Sequence, residues 1–438
     1  MKYSFISVLL LSAILSTSPG CKAQKEITNS SDINTVINVK EVERIERVLA
    51  ADDMRGRKTF SPEIDKAADF IAAEFKLAGL QTWGNSQSFR QEFAMVRPKF
   101  ISASAVLDRV AVSPKDIIVI TCQPQLNIDD RSGYEKRFLK AGDNLQTTAR
   151  GLVRSNKNLL VLVDKSFTNS FGNLARLKSN LVKTSTNVVF VLSDTDPDTW
   201  SVEAMHEIQE QKLANVVGVL PGKSLKEEYV VFSGHYDHIG VGKPVDGDSI
   251  YNGANDDAAG TTGVIMLAKY FAALKNNERT IVFVAFTAEE IGGYGSQYFS
   301  LQMNPDKVVA MFNIEMIGTE SKWGKNSAYI TGYEKTNMGE ILAKDLKGTE
   351  FIFYPDPYPT QQLFYRSDNA TLARLGVPAH TISTSKMDVE PHYHKLTDHL
   401  ETLDLVNMTE VIKAIALSSK SIVAGKETPM RVKVEDLR

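Results

Sequence analysis

Acidic and histidine side chains recur in this sequence directly after runs of apolar residues. His235 and Asp237 follow "EEYVVF", and Asp256 and Asp257 lie in a glycine-flanked turn. Glu315 lies at the end of the run "KVVAMFNIEM". The segments "TAEEIGG" and "EPHYHKLTDH" add two glutamates and three histidines: Glu289, Glu290, His392, His394 and His399. Imidazole nitrogens and carboxylate oxygens without thiolates suit Zn²⁺ or a similar divalent ion. The pattern therefore predicts a site for a divalent metal ion.

Each piece taken alone has an ordinary explanation. An aspartate at a helix start is usually a cap, and a glutamate pair is usually solvated surface. However, Glu289 and Glu290 follow an apolar strand, where two adjacent carboxylates repel each other. Burying such groups costs several kcal/mol unless a cation compensates. A metal site explains the pieces jointly, and two histidines with three or more carboxylates suit two ions that share a bridging ligand.

The elements that must position these residues alternate between strands and helices from residue 228 onward. Apolar runs such as "RTIVFVAFTA" predict buried strands, and "AAGTTGVIMLAKYFAALKN" has the 3.6-residue period of a helix. This alternation predicts an α/β fold, a three-layer sandwich around a central, mostly parallel mixed sheet. Ligands in such sheets bind beyond the carboxyl ends of the strands, where the acidic and histidine residues fall.

Changes in pattern along the chain predict its domain organisation. Residues 103–215 carry short β-rich runs separated by polar loops such as "QPQLNIDDRSG", which favours an inserted β-rich domain without chemistry of its own. We predict these segments: 1–23 signal, 24–37 tether, 38–102 N-terminal part of the catalytic domain, 103–215 insert, 216–427 catalytic domain and 428–438 tail.

Composition and the N-terminal segment indicate which partners and which cellular location to expect. A net charge of −3 spread over 438 residues does not support nucleic-acid binding. The apolar run from Phe5 to Leu15 is typical of a secretory signal, so we expect export to the periplasm, the outer membrane or the medium. Cleavage before Cys21 would permit a lipid anchor, whereas cleavage after Ala23 would release a soluble protein. Either way Cys122 is left single, without a disulfide partner.

The motifs "GHYDHIG", "YNGANDDAAGTTG", "FTAEEIGGYGS", "NIEMIG" and "YHKLTDHLETLD" occur in an order that resembles the co-catalytic dizinc exopeptidases. The likeness is to the bacterial leucyl aminopeptidase and aminopeptidase Y type, with glutamate carboxypeptidase and glutaminyl cyclase as relatives. It covers about 215 residues of the C-terminal part and extends weakly to residues 52–80. The 103–215 stretch stands where some relatives carry a protease-associated insert.

The resemblance implies roles for individual residues. His235 and Glu315 would bind one zinc, Glu290 and His394 the other, and Asp256 would bridge the two. Glu315 departs from the aspartate found in many relatives and is one methylene longer. Three further residues would support the chemistry: Glu289 as general base, Asp237 as the partner that orients His235, and Tyr393 near the developing oxyanion.

The implied function is an aminopeptidase that removes N-terminal residues from peptides through a hydroxide bridged by two Zn²⁺ ions. A metallo-carboxypeptidase or dipeptidase would use the same chemistry but needs a cation such as Arg366 to hold a substrate carboxylate. Glutaminyl cyclisation works with one zinc, whereas this sequence keeps five apparent ligands. A non-catalytic binding protein on the same scaffold would bind no metal.

Overall fold

The structure is a computed structural model, and it describes Met1 and residues 32–178 and 181–437. Ten α-helices lie in this part of the chain: α1 Ile33–Val36, α2 Val39–Leu49, α3 Pro62–Leu77, α4 Leu145–Arg154, α5 Ala259–Leu274, α6 Tyr294–Gln302, α7 Met338–Asp345, α8 Asn369–Ala373, α9 Leu405–Ser418 and α10 Lys420–Val423. The predicted signal segment and Cys21 lie outside the described residues, so export and lipidation stay predictions. Among the described helices none is long and apolar enough to cross a membrane.

The same part of the chain forms eighteen strands. These are β1 Gln81–Thr82, β2 Arg90–Leu107, β3 Val110–Val112, β4 Ile117–Ile120, β5 Gln125–Asp129, β6 Glu135–Leu139, β7 Leu159–Val163, β8 Leu181–Val182, β9 Val188–Leu192, β10 Trp200–Leu220, β11 Leu225–His235, β12 Gly240–Val245, β13 Asp248–Tyr251, β14 Arg279–Phe286, β15 Val308–Ile314, β16 Ser327–Ile330, β17 Ile352–Pro355 and β18 Ala379–Ser383.

A twelve-stranded mixed sheet forms the centre of the fold. Its main path runs β17-β16-β18-β15-β11-β14-β10-β2-β3. The neighbours β18, β15, β11 and β14 pair in parallel, whereas β10 pairs antiparallel to β14. The predicted α/β sandwich around a mixed sheet is therefore confirmed, with its parallel pairing concentrated at the centre.

The central strands are apolar on both faces because helices cover both sides of the sheet. In β14, Ile281 and Phe283 pack into one core cluster while Val282 and Val284 pack into another. Helices α2, α3, α5 and α9 contribute to the first cluster, and α6 and α8 contribute to the second. Alternating side chains buried on opposite faces explain why the sequence shows a continuous apolar run rather than a polar alternation.

A separate four-stranded sheet, in the order β4-β9-β7-β6, lies within the predicted insert. The long strands β2 and β10 pair along their length and connect this region to the central sheet. The stretch "QPQLNIDDRSG", predicted to be a loop, contains strand β5, which pairs with β10. Leu126 and Ile128 alternate with exposed residues there, so a two-residue period was present in a segment that its polar residues made look like a loop. Cys122 is a buried free thiol.

One buried arginine fastens the N-terminal segment to the loops of the catalytic part. The guanidinium of Arg57 donates to the carbonyl oxygens of Leu49 at 2.5 Å, Asn252 at 2.7 Å, Tyr236 at 2.8 Å and Gly253 at 2.9 Å. The side chain is fully buried. One carbonyl at the end of α2 and three loop carbonyls therefore depend on a single side chain that no local pattern in the sequence identified.

We expect Arg57→Met to lower the free energy of unfolding by about 3 kcal/mol or more, because buried carbonyls would lose charge-assisted hydrogen bonds. Urea denaturation measures this change. Arg55→Met is the matched control, since Arg55 is exposed and makes only a surface ion pair with Glu63 at 3.6 Å. Equal stability of the two variants would contradict the fastening role.

Candidate metal centre and active site

Three neighbouring parallel strands end at the same edge of the sheet and deliver the predicted residues there. His235 is the last residue of β11 and pairs in register with Phe286, the last residue of β14. Glu289 follows β14 by three residues, and Glu315 comes directly after β15. The sequence prediction that these side chains share one edge is correct.

Asp256 lies at the centre of the cluster. Its Oδ1 is 3.2 Å from His235 Nε2, and its Oδ2 is 3.1 Å from His394 Nε2. The backbone departs from helical geometry at Asp256 and Asp257, just before α5 begins. One carboxylate therefore faces two histidines that are 159 residues apart in the chain (394 − 235).

Glu290 contacts the cluster through both oxygens. Its Oε2 is 3.1 Å from His394 Nε2, and its Oε1 is 2.7 Å from His238 Nδ1. His238, Asp256 and Glu290 also form a group whose ligand atoms lie within 4.8 Å of one another. Sequence reasoning assigned no role to His238, although it lies only three residues after His235 in the same motif.

The structure separates His394 from the other histidines of its segment. His392 Nδ1 is 2.9 Å from Thr397 Oγ1, and His399 Nε2 is 3.5 Å from Asp248 Oδ2. Neither of these contacts is with the acidic cluster. Of the three histidines in "PHYHKLTDH", the structure thus places His394 against Asp256 and Glu290.

Asp237 joins the loop after β11 to the loop that carries the adjacent glutamates. Its Oδ1 accepts the backbone N–H of Glu289 at 3.0 Å, and its Oδ2 accepts that of Glu290 at 3.3 Å. The atom nearest His235 Nδ1 is the main-chain oxygen of Asp237 at 3.1 Å, while Oδ1 stands at 3.7 Å. Asp237 is therefore next to His235 as predicted, and its carboxylate holds the Glu289–Glu290 backbone.

Two aspartates without a predicted role fix the backbone around Asp256. Asp398 accepts the N–H groups of Asn255 at 2.8 Å and Asp256 at 3.1 Å. Asp257 accepts the N–H groups of His235 and Met316, each at 3.0 Å. Both lie inside motifs that the sequence analysis quoted, but acceptance of backbone N–H groups leaves no sequence signal.

Several buried ligand atoms have no hydrogen-bond partner among the described residues. They are His235 Nε2, His238 Nε2 and Glu315 Oε2. Two ligands about 2.0–2.1 Å from one tetrahedral zinc stand about 3.3 Å apart. The nitrogen–oxygen distances from His235 and His394 to Asp256, at 3.2 and 3.1 Å, match that spacing. The donor set therefore fits divalent metal, whereas the 2.7 Å contact of His238 with Glu290 is a hydrogen bond.

The electrostatics of the cluster also favour a cation. Burial raises the pKa of Glu315 to about 7 and that of Glu289 well above its usual value. Burial alone would raise the pKa of Asp256 too, but the close contacts with the His235 and His394 side chains hold it below its usual range. Contacts with Asp256 and Glu290 overcome burial and raise the pKa of His394 to about 10. A divalent ion would stabilise these carboxylates as anions and the histidines as neutral ligands.

A small cavity of about 50 Å³ opens against the cluster. Asp256, Glu289 and Glu315 line its acidic end together with Tyr393 and His394. The ring of Tyr393 stacks on that of His394 with centroids 3.9 Å apart. The remaining wall carries the side chains of Met316, Tyr329, Thr331, Leu363, Arg366, Ser367, Thr381, Ser383 and Met387. Glu289 and Tyr393, which were predicted to support the chemistry, thus line the same cavity as the predicted metal ligands Asp256, Glu315 and His394.

Comparison with known proteins relates this part of the chain to a peptidase family. Residues 215–418 match the sequence profile of Peptidase family M28. The match confirms the family resemblance drawn from the motifs, and it covers the histidines and carboxylates of the cluster.

Curated relatives match the M28 segment over part of their length. A probable leucine aminopeptidase of Trichophyton verrucosum is 28% identical over 208 residues, 45% of this chain and 54% of the relative. Aminopeptidase YwaD of Bacillus subtilis is 22% identical over 230 residues, 51% of this chain and 48% of the relative. The chain therefore spans about half the length of these relatives. A probable zinc metalloprotease of Pyrenophora teres f. teres is 36% identical over 108 residues, 24% of this chain and 23% of the relative.

Solved structures resemble the whole fold that carries the M28 segment. The aminopeptidase from Aneurinibacillus sp. strain AM-1 has a TM-score of 0.51 and 17% identity, covering 93% of this chain and 98% of that one. The zinc aminopeptidase BSAP from Bacillus subtilis has a TM-score of 0.53 and 14% identity, covering 92% and 97%. These likenesses establish a common architecture that extends through the predicted insert.

Proposed function

We propose that this protein is a zinc-dependent aminopeptidase that hydrolyses N-terminal residues from peptides. The observation that carries the proposal is the position of Asp256, whose two oxygens face His235 and His394 at metal-ligand spacing beside Glu289. The match of residues 215–418 to family M28, and the aminopeptidase and zinc metalloprotease names of the relatives, support the same activity.

Two zinc ions fit the donor set. His235, Glu315 and Asp256 Oδ1 would hold one ion, while His394, Glu290 and Asp256 Oδ2 would hold the other. The hydrogen bond from His238 to Glu290 makes His238 a residue that orients a ligand rather than a ligand. When bound, the ions would acidify an attacking water and polarise the scissile carbonyl.

Residues of the chain would transfer the protons and position the groups that do so. Glu289 lines the cavity beside the cluster, where its carboxylate can take a proton from water and deliver it to the leaving amine. Asp237 fixes the backbone that presents Glu289, through the N–H groups of Glu289 and Glu290. Tyr393 lines the same cavity, where its hydroxyl would donate to the carbonyl oxygen on which negative charge develops.

One observation favours a second candidate, a metallo-carboxypeptidase or dipeptidase. Arg366 lines the catalytic cavity, so a cation is present where a substrate carboxylate could bind. Its guanidinium also donates to Gln361 Oε1 at 3.3 Å near the surface. The same cavity is lined by Asp256, Glu289 and Glu315, whose negative charge suits a free α-amino group and leaves the aminopeptidase as the better supported function.

The two candidates differ in which peptide terminus must be free. We expect the zinc-loaded protein to hydrolyse leucyl-p-nitroanilide and free peptides but not N-acetylated peptides, and a chelator to abolish the activity. Identification of the released residue by mass spectrometry measures the direction of cleavage. Release of C-terminal residues from N-acetylated peptides would favour the carboxypeptidase, and absence of any turnover with bound zinc would contradict both.

A further inference from the structure

A second cavity, of about 320 Å³, lies between the predicted insert and the catalytic part of the chain. Residues of the insert line most of it, and Ile291, Gly292, Tyr294, Gln297 and Leu301 form the opposite wall. We call it the arginine cavity, because Arg150, Arg154 and Arg176 all line it. The mechanism above makes no use of this space.

One short stretch of backbone links a wall of the arginine cavity to a wall of the catalytic cavity. Glu289 lines the catalytic cavity, whereas Ile291 and Gly292 line the arginine cavity. Consecutive Cα atoms are about 3.8 Å apart, so Gly292 lies at most about 11 Å from Glu289. An extended peptide advances about 3.3–3.6 Å per residue, so about three residues bridge this distance.

The charged side chains that line the arginine cavity are all positive. Among the described residues that line it there is no aspartate or glutamate. Arg150 and Arg154 are four residues apart on α4 and therefore lie on one face of that helix, where like charges disfavour each other. Arg374, from the catalytic part, adds positive charge near Arg154.

Arg154 is solvent-exposed at the cavity, and the positive charges of Arg150 and Arg374 oppose its own. Desolvation, together with the charges of Arg374 and Arg150, lowers the pKa of Arg154. A helix C-terminus favours a cation, which explains Arg154 alone. The helix C-terminus does not explain why Arg150, from the insert, and Arg374, from the catalytic part, both lie close to Arg154. An anion held among these guanidinium groups would relieve the repulsion.

We propose that the arginine cavity binds the C-terminal carboxylate of a short peptide whose N-terminal residue occupies the catalytic cavity. This inference rests on the proposed aminopeptidase function and names its substrate class as peptides of about three to five residues. Arg150 and Arg154 bind the carboxylate. The exposed apolar side chains of Ile291 and Leu301 offer contacts to the intervening residues.

The test compares one peptide in two forms, Leu-Ala-Ala-Ala and its C-terminal amide. We expect the zinc-loaded protein to hydrolyse the acid with a kcat/KM at least about 10-fold above that of the amide, the scale of hydrogen bonds to a charged group. The double variant Arg150→Gln, Arg154→Gln should reduce this ratio to about one. Arg131→Gln should keep the ratio of the parent, because Arg131 is exposed in the same insert and does not line the cavity.

The outcomes separate the two proposals. Equal rates for acid and amide in the parent protein would overturn the role of the arginine cavity while leaving the aminopeptidase function intact. An undiminished ratio in the double variant would also overturn it. Failure to release leucine from either peptide, with zinc bound, would instead contradict the proposed function itself. The comparison within the parent protein tests the inference even if the double variant does not fold.

Discussion

Glu289→Gln is expected to reduce kcat at least 100-fold while leaving the zinc content of the protein unchanged. The carboxylate of Glu289 lines the catalytic cavity but makes none of the close contacts with Asp256 that the histidines make. The amide is nearly isosteric and cannot accept a proton, so general base catalysis is lost, an effect of about 10²–10⁴-fold. Steady-state kinetics on leucyl-p-nitroanilide and metal analysis of the same preparation measure both quantities.

Glu334→Gln is the matched control for this substitution. Glu334 has a side chain 74% exposed and pairs only with Lys335 at 3.4 Å. It should retain parental kcat. Near-parental turnover of Glu289→Gln would remove Glu289 from the role of general base, whereas loss of zinc in that variant would indicate that it binds metal.

Asp256→Asn is expected to lower the zinc content by at least one equivalent per chain and to reduce kcat/KM by at least 1,000-fold. The carboxylate faces His235 with one oxygen and His394 with the other, so each oxygen would serve a different ion. The amide replaces one oxygen by an NH₂ group that cannot bind a cation. Loss of metal removes its stabilisation of transition-state charge, which is worth several kcal/mol.

Elemental analysis per chain and kcat/KM on the same anilide measure this result. Asp246→Asn provides the control, because Asp246 is exposed and its positive φ of 51° is tolerated by asparagine. Retention of two equivalents of zinc by Asp256→Asn would contradict the bridging role. The contrast with Glu289→Gln then distinguishes a metal ligand from a proton carrier at neighbouring positions.

The sequence located the strands of the site well because their apolar runs are long and uninterrupted. The run around β14 indicated burial on both faces, and residues 279–286 are all buried in the structure. The acidic and histidine residues after β11, β14 and β15 were correctly placed at one edge, because parallel strands point their carboxyl ends the same way.

The geometry within the site depended on contacts that no local pattern encodes. His238 and Asp398 lie inside recognised motifs, yet their partners, Glu290 and the backbone of Asn255 and Asp256, are 52 and more than 140 residues away. Arg57 is a similar case, since its four carbonyl partners come from the end of α2 and from two loops. Choosing among such partners requires the strand register and the loop paths.

The sequence also did not predict the backbone conformation of the three loops that carry the site residues. Ala288, directly before Glu289, has a φ of 60°, and Met316, directly after Glu315, has a φ of 52°. The predicted ligand His394 itself has a φ of 57°. Non-glycine residues in this region are uncommon and cost about 1–3 kcal/mol each. Such conformations persist because the surrounding packing and hydrogen bonds hold them, so the sequence gives no sign of them.

The sequence by itself therefore determined the α/β class, the edge of the sheet at which the chemistry lies and the residue types that perform it. These properties follow from hydrophobic periodicity and from side-chain chemistry, which are local. Only the tertiary structure decided that His238 contacts Glu290, that Asp237 holds the backbone of the glutamate loop, and that an arginine-lined cavity lies beside the segment that follows Glu290. These depend on the packing of distant segments, because hydrogen-bond and charge partners are set by distances that the order of residues does not fix.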